Sequence, residues 1–463
     1  MKSIEGKDSQ MVVDKLYEQM QEDNEFFFRV RLDDDAKVCC LFWRDSMMLE
    51  DYNIFGDVMV FDTTYRTNKY NLICAPFVGI NNHWKNTMFA CAFLGDETKE
   101  SFEWVFETFK KSMRGKCPIS IFTDQDAAIA TAIEKIFPNS RHRLCLWHLS
   151  QNANSRFGLI KADKQFKKDF HKCLSGCITP IEFEDTWKTM ITRYNLQDDS
   201  WFKRLYSLKE KWSTAFSKDF FSAGILSSQR SESTNHAIGF NASKTTSLTE
   251  FYSIFQATVH RWRREEEMDD FNCTKGIPSS DFCMSALLKH ASLVYTHTLF
   301  RDFEDEFKYA MASDIENLYA EGNNFIYRVC LNGIIGSDQR VYFNKLDSIV
   351  YCECKNFNES GWLCFHCIRV LHAHSYKQIP KKYISTRWKR LAKKEVWEKY
   401  DKEKREKGEI NNFTPWRLHM IRRYYNLIIK SHKLEEARKV IEESFRKASI
   451  TVENIIKKEE AKH

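Results

Sequence analysis

Apolar and polar positions alternate in two regimes along the chain. Strand-like runs occupy 57–62, 71–80 and 87–94, separated by the turn-forming clusters Thr67-Asn68-Lys69 and Asn81-Asn82-His83. Three strands joined by short turns predict an antiparallel meander. From Thr98 to Arg114 the period changes: Phe102, Val105, Phe106 and Phe109 recur at i, i+3, i+4 and i+7, which predicts an amphipathic helix. A strand ending at Asp124, a helix over 126–137 and a further strand-like run from Arg141 to Trp147 follow. Upstream, residues 1–50 carry a helical stretch around Val12 to Met20, then apolar runs from Phe26 to Val30 and from Val38 to Trp43. Downstream, the sequence from Leu149 to about Lys218 is helical in pattern and rich in Phe, Trp and Lys.

Two of these strands end in carboxylates. Val58, Met59, Val60 and Phe61 precede Asp62 in VMVFDTTY, and Ile119, Ile121 and Phe122 precede Asp124 in ISIFTDQDAA. Carboxylate oxygens are the hard ligands that Mg²⁺ or Mn²⁺ prefers, and two such ions about 3.5–4 Å apart clamp the oxygens of a phosphodiester. The alternative is a cap: Thr123-Asp124 precedes a run with Ile129, Ile133 and Ile136 at helical spacing. The order β-β-β-α-β-α-β is that of a ribonuclease H-like fold, an α/β (α+β) class in which the first and fourth strands are neighbours. Glu232, in SQRSESTN, is the candidate third acid, on a helix opening near Ser231, with Asp126, Glu210 and Glu250 as rivals.

Composition and charge refine this picture. The 463 residues are 43% hydrophobic and 14% aromatic, enough for two or three folded domains. No apolar run approaches the roughly 20 residues of a membrane span, and the amino terminus lacks a signal-peptide core, so the expectation is an intracellular chain without a membrane partner. Fifteen cysteines, an odd number, point to reduced thiols rather than a disulfide framework. Between Lys377 and Gly408 thirteen Lys/Arg stand against five Asp/Glu, a local net of +8 in a chain of net +6. The basicity is therefore local. Lys389, Arg390, Lys393 and Lys394 lie in KKYISTRWKRLAKK, which reads either as a nuclear-localisation or nucleic-acid-contacting stretch or as a solvated helix face.

Cys352-Glu-Cys354 followed by Cys364-Phe-His366 supplies three thiolates and an imidazole, the donor set of a closed tetrahedral Zn²⁺ site with no position left for water. The metal expected there is structural, and Cys367 abuts the motif as a substitute ligand. Cys145-Leu-Trp-His148 offers only two ligands, too few to close such a site, so packing and hydrogen bonding beside the acids is its expected role.

Three segments, FGDVMVFDTTYRTNKYNLICAPFVGINNH, FTDQDAAIATAIEKIFPNSRHRLCLWHL and FFSAGILSSQRSESTNHAIGFNASKTTSLTEF, resemble the far-red impaired response family of plants, whose members descend from Mutator-like (MULE) transposases. The resemblance covers roughly residues 10–400. It implies a ribonuclease H-like transposase core with a helical insertion, an acid triad at Asp62, Asp124 and Glu232, an auxiliary Cys-x-x-His motif at Cys145 and His148, and a SWIM zinc finger at Cys352, Cys354, Cys364 and His366. The division expected is a lead-in at 1–55, the core at 56–260 with its insertion at about 149–218, a helical connector at 261–335, the finger at 336–375, and a basic and helical region at 376–463.

Two functions compete on this reading. One is a nuclear, DNA-associated transcription regulator that keeps the acids as scaffold; the other is an active Mutator-like transposase performing metal-dependent strand transfer with Mg²⁺ or Mn²⁺ at the triad. The resemblance implies the regulator. One departure bears on it: residues 1–50 contain Cys39 and Cys40 but no His, so the N-terminal zinc-binding DNA-recognition domain of the family has no counterpart there. DNA contact through the basic stretch, or dimerisation with related members, is the expected substitute. Leu434, Ile441, Ala448 and Ile455 repeat every seven residues, compatible with a coiled-coil seam interrupted at Ser444 or with packing on the chain's own domain.

Overall fold

The computed structural model describes residues 2–63, 68–156, 163–225, 242–280, 285–334, 337–396 and 434–460, with isolated positions between 420 and 431. The apolar alternation builds a seven-stranded sheet from β1 (Phe27–Leu32), β2 (Val38–Arg44), β3 (Val58–Phe61), β4 (Ile73–Ile80), β5 (Asn86–Leu94), β6 (Ser120–Thr123) and β7 (Arg141–Leu144). Their spatial order is β1-β2-β5-β4-β3-β6-β7. β3, β4 and β5 form the antiparallel meander, and β6 lies parallel beside β3 with Val58 opposite Ser120 and Val60 opposite Phe122. Parallel neighbours need a crossover, which helix α3 (Lys99–Ser112) provides between β5 and β6; α4 (Ala127–Ile136) does the same between β6 and β7.

Both faces of β3 are covered, which is why its sequence is an unbroken apolar run. Met59 and Phe61 pack with Phe77, Phe102, Phe106, Phe109, Ile129 and Ile133 on the α3/α4 side, where α2 (Ser46–Phe55) adds Tyr52 and Phe55, while Val58 and Val60 join a second cluster containing Phe300, Leu363 and Trp388. On that second side, α1 (Lys2–Glu22) and α10 (Leu248–Lys275) cover the remaining strands through Val12, Leu16, Phe251 and Phe255 against Trp43 and Phe93. Asp8 of α1 accepts hydrogen bonds from the Leu248 and Thr249 amides at 2.8 and 3.2 Å, so one helix caps the other. The stretch expected to be a lead-in, 1–55, is thus part of the sheet assembly: Trp43 of β2 pairs with Cys91 of β5, and the boundary at 55 would cut those hydrogen bonds.

After β7, α5 (Leu146–Arg156), α6 (Lys164–His171), α7 (Pro180–Arg193), α8 (Ser200–Ser207) and α9 (Lys209–Trp212) form the helical insertion around Phe166, Phe183, Trp187 and Trp212. Beyond α10, α11 (Ala286–Val294) and α12 (His297–Ala312) lead to a second, antiparallel sheet of β8 (Asp314–Glu321), β9 (Asn324–Cys330), β10 (Gln339–Asn344) and β11 (Ile349–Cys352), followed by α13 (Asn356–Ser360) and α14 (Phe365–Ala373). This corrects the helical connector expected over 261–335, which is helical only to Ala312. β8 is an edge strand exposed on both faces, so its sequence, DIENLYAE, shows no apolar alternation by which to recognise a strand.

The basic stretch docks on the sheet. The Arg387 guanidinium is buried and donates to both carboxylate oxygens of Asp57 and to the Phe55 and Ile80 carbonyls. Lys393 sits 2.7 Å from both Asp51 and Glu266, all three largely buried. The terminal helix α15 (Glu435–Glu460) differs: Val440, Phe445, Ile450, Val452 and Ile455 are each more than half exposed, so the packing on its own domain weighed above is not seen among the described residues. Removing the cation from a buried charge cluster leaves its carboxylates unpaired, so Lys393→Ala is expected to cost about 3–5 kcal/mol of stability by urea denaturation. A loss under about 1 kcal/mol, the ordinary scale of a surface pair, would show that the cluster carries no such weight.

Candidate functional site

Asp62 follows the last residue of β3 and Asp124 the last residue of β6, so the parallel register brings both carboxylates to one edge of the sheet. The cap alternative is resolved by Asp126, whose side chain accepts from the Ile129 amide at 2.8 Å and caps α4. Asp124 is thereby released from capping. Its Oδ1 is enclosed and accepts no hydrogen bond among the described residues. Burial and the neighbouring Asp62 carboxylate push the Asp124 carboxyl up to about 6, with His148 opposing them.

The Cys145-x-x-His148 pair comes to the same edge. The Cys145 amide donates to Thr123 O at 2.8 Å, extending the β6–β7 ladder, and the His148 amide donates to Cys145 Sγ at 3.3 Å. Burial lowers the proton affinity of the His148 imidazole, but the Cys145 thiol and the two carboxylates outweigh it and hold the group up at about 9. At neutral pH an imidazolium therefore stands beside the acid pair. Glu97, which sequence reasoning missed, adds to the field at Asp124 and accepts from Thr63 Oγ1 at 2.8 Å. Its only signal is its place just past the end of β5.

The third acid, Glu232, lies outside the described residues. Of its rivals, Asp126 is the α4 cap and Glu250 completes a capping box with Ser247 at the start of α10. Glu210 lies in α9, where its carbonyl accepts from Arg141 at 2.8 Å.

The second candidate centre gathers Cys352, Cys354, Cys364 and His366, whose ligand atoms all lie within 4.8 Å of one another. Cys352 ends β11, Cys354 follows in the turn, Cys364 is the N-cap of α14 and His366 lies in its first turn. A helix N-terminus favours a thiolate there. His366 Nε2 lies 2.8 Å from the Ser337 carbonyl, so that nitrogen carries the proton, and Nδ1 is enclosed with no hydrogen-bond partner among the described residues. A metal-ligating His characteristically donates its other N–H to a carbonyl in this way. Three thiols and an orphaned imidazole nitrogen fit a closed zinc site; Cys367 lies against the Cys352 and Cys364 thiols, outside that group of four. Zinc would supply the charge that lets the thiols ionise together.

The four basic residues proposed as nucleic-acid contacts separate. Lys393 is consumed in the buried cluster with Asp51 and Glu266 and is not available to a phosphate. Lys389 pairs with Glu395 at 2.7 Å, Arg390 is half-buried with its amide on the Val294 carbonyl, and Lys394 is exposed.

Comparison with known proteins places these features. The MULE transposase domain family matches residues 58–152, the span from β3 to α5 that contains both aspartates and Cys145-x-x-His148. FAR1-RELATED SEQUENCE 5 of Arabidopsis thaliana is 33% identical over 396 residues, 85% of this chain and 50% of its own length. FAR-RED IMPAIRED RESPONSE 1 of the same plant is 32% identical over 397 residues, 85% of this chain and 48% of its own length. The chain belongs to the FAR1-related family. It spans about half the length of these relatives; against FAR1-RELATED SEQUENCE 9, at 28% identity, it covers 65%. No described helix of this FAR1-related chain is long and apolar enough to cross a membrane.

The pH behaviour of the acid pair has a definite sign. Because folding raises the Asp124 carboxyl from 3.8 to about 6, the folded state binds protons more tightly and stability falls as pH rises between those values. Asp124→Asn is expected to be more stable than the parent by about 1–2 kcal/mol at pH 7 and to lose most of this advantage at pH 4. Denaturant titrations at the two pH values measure it, and a variant less stable at pH 7 would contradict the burial argument.

Proposed function

We propose that the chain is a nuclear, DNA-associated transcription regulator built on a transposase-derived, ribonuclease H-like core, with Cys352, Cys354, Cys364 and His366 holding a structural zinc ion in a SWIM-type finger. The observation that carries this reading is the likeness over 85% of the chain to plant proteins named for the far-red response. The strand order supports the core assignment, since a meander is followed by parallel strands bearing the two acids. Arg390 and Lys394 are the phosphate contacts within the basic stretch, and relatives of the same family are the partners for dimerisation.

A second reading, an active transposase using Mg²⁺ or Mn²⁺ at Asp62, Asp124 and Glu232, is favoured by one observation, the enclosed Asp124 Oδ1 without a donor among the described residues. Fold by itself does not decide between them.

Two measurements test the proposal. Zinc is expected in the purified protein, and its removal by a chelator should unfold residues from about 340 to 375 selectively, since finger-type sites draw on the order of 10 kcal/mol of folding free energy from the metal. Unchanged metal content and an unchanged proteolysis pattern after chelation would remove the finger from the proposal. On duplex DNA carrying terminal inverted repeats, the affinity should fall steeply with salt, and replacing Arg390 and Lys394 by Ala should reduce the slope by about two. The DNA should stay intact with Mn²⁺ present. Nicking by the parent but not by Asp124→Asn would instead establish the transposase.

A further inference from the structure

A cavity of about 600 Å³ opens where the C-terminal unit meets the sheet, lined by Trp84, Trp362, Asp302, Asp305, Glu306 and Glu359 among others. It lies away from the acid pair: Trp84 is in the β4–β5 turn, beside the start of β3, whereas Asp62 follows the strand's end. Thr298, Asp302, Asp305 and Glu306 of α12 occupy i, i+4, i+7 and i+8, one helix face turned to the cavity.

Two properties of this cavity point to a ligand. Its walls include two indoles, Trp84 and Trp362, with centroids 5.8 Å apart and planes at 69°, held from behind by Trp388, which stacks on Trp84 at 5.6 Å and meets Trp362 edge-on. Gly224 lies at the tips of both rings: a Cβ there would be 3.2 Å from Trp84 Cη2 and 3.3 Å from Trp362 Cη2, and its φ of +71° suits glycine. The second property is carboxylate charge that is not fully hydrogen-bonded. The Asp302 side chain has no hydrogen bond or ion pair among the described residues, and Glu359 Oε1 is enclosed with no hydrogen-bond donor, although the carboxylate lies in the field of the buried Arg143 guanidinium. Trp362 is more than nine-tenths buried, yet its indole N–H has no acceptor among the described residues.

The carboxylates do not converge as a metal site does. Among the described residues the one group of three or more ligand atoms within 4.8 Å is the Cys/His cluster. Carboxylates set around aromatic faces, rather than meeting at a point, suit a cation that carries apolar surface as well as charge: the rings attract it through their quadrupoles, and the carboxylates accept its N–H groups.

We propose that this cavity binds an organic cation, the alkylammonium end of a lysine-type side chain, with its methylenes or N-methyl groups on Trp84 and Trp362 and its charge toward Asp302 and Glu359. The site is separate from the acid pair and adjoins the Cys/His cluster through Glu306, which accepts from the Phe365 amide at 2.6 Å, and it gives the chain a means of engaging a basic protein segment that does not pass through DNA.

Calorimetric titration of the full chain tests this with three probes: n-butylammonium, a short lysine peptide with its N-methylated forms, and the same peptide acetylated on the lysine Nζ. Saturable binding of the cations with a dissociation constant on the order of 1 mM or tighter is expected, and acetylation should weaken it at least about tenfold, because the charge is lost while the length is kept. Tighter binding of the peptide than of n-butylammonium assigns the cavity to a protein segment; equal binding assigns it to a free amine. Asp302→Asn with Glu359→Gln should weaken the cation about tenfold while leaving metal content and far-ultraviolet circular dichroism unchanged. Absence of saturable binding, equal binding of the acetylated peptide, or an unaltered affinity in the folded double variant would overturn the proposal.

Discussion

The parallel pairing of β3 with β6 is the constraint on which the rest of this structure depends. Four residues, Val58 to Phe61, are buried on both faces, and their hydrogen bonds run to an antiparallel neighbour on one side and a parallel one on the other. Parallel neighbours cannot be closed by a hairpin, so the chain must leave the sheet through α3 and return. The return brings a second strand end, and with it Asp124, beside Asp62. At the opposite end the Asp57 carbonyl accepts from the Ile119 and Ser120 amides at 2.7 and 3.1 Å, while its carboxylate receives the guanidinium of Arg387 from 330 residues further along. One short strand therefore organises an acidic edge at its end and the docking of the C-terminal unit at its start.

That C-terminal unit is small and half-wrapped. Its sheet buries Val329, Val341 and Phe343 beneath α14 but leaves Tyr342, Ile349 and Tyr351 exposed on the other face. Its four candidate ligands come from a strand end, a turn and a helix start. The tryptophan cluster is the other tie: Trp388 is fully buried, donates its indole N–H to the Ser360 carbonyl at 2.8 Å, and lies so close to Gly361 that a Cβ there would approach its Nε1 to 2.8 Å. Gly361 also has a φ of +87°, so glycine is required twice over.

The elements that could be read directly were those whose burial is one-sided or complete. α3 shows its phenylalanine stripe because only one face meets the sheet, and β3 shows an unbroken apolar run because both do. β8 was hidden for the opposite reason: an exposed edge strand has no apolar period. The helix of Asp124 shows a finer limit, since Asp124 and Asp126 are equally good caps on paper and only the backbone path chooses Asp126. Lys393 shows the same limit in the charge pattern. A cluster of Lys and Arg reads as a surface for phosphate, yet Lys393 finds Asp51 and Glu266 in parts of the chain far from it.

What the sequence determined by itself was local: the kind of each strongly periodic element, the donor chemistry of Cys352, Cys354, Cys364 and His366, and the placing of two carboxylates at strand ends. Only the tertiary structure decided which of these groups share a field. The Asp124 carboxyl is held up at about 6 by burial and the Asp62 carboxylate, against the opposing pull of His148, and Lys393 is withdrawn from solvent because two distant acids close over it. The tryptophan-lined cavity exists only where the β4–β5 turn meets α12 and α13. The physical reason is common to all three. Propensity and donor type are properties of a residue and its near neighbours, whereas desolvation and charge pairing depend on which distant segments the sheet brings within a few ångströms.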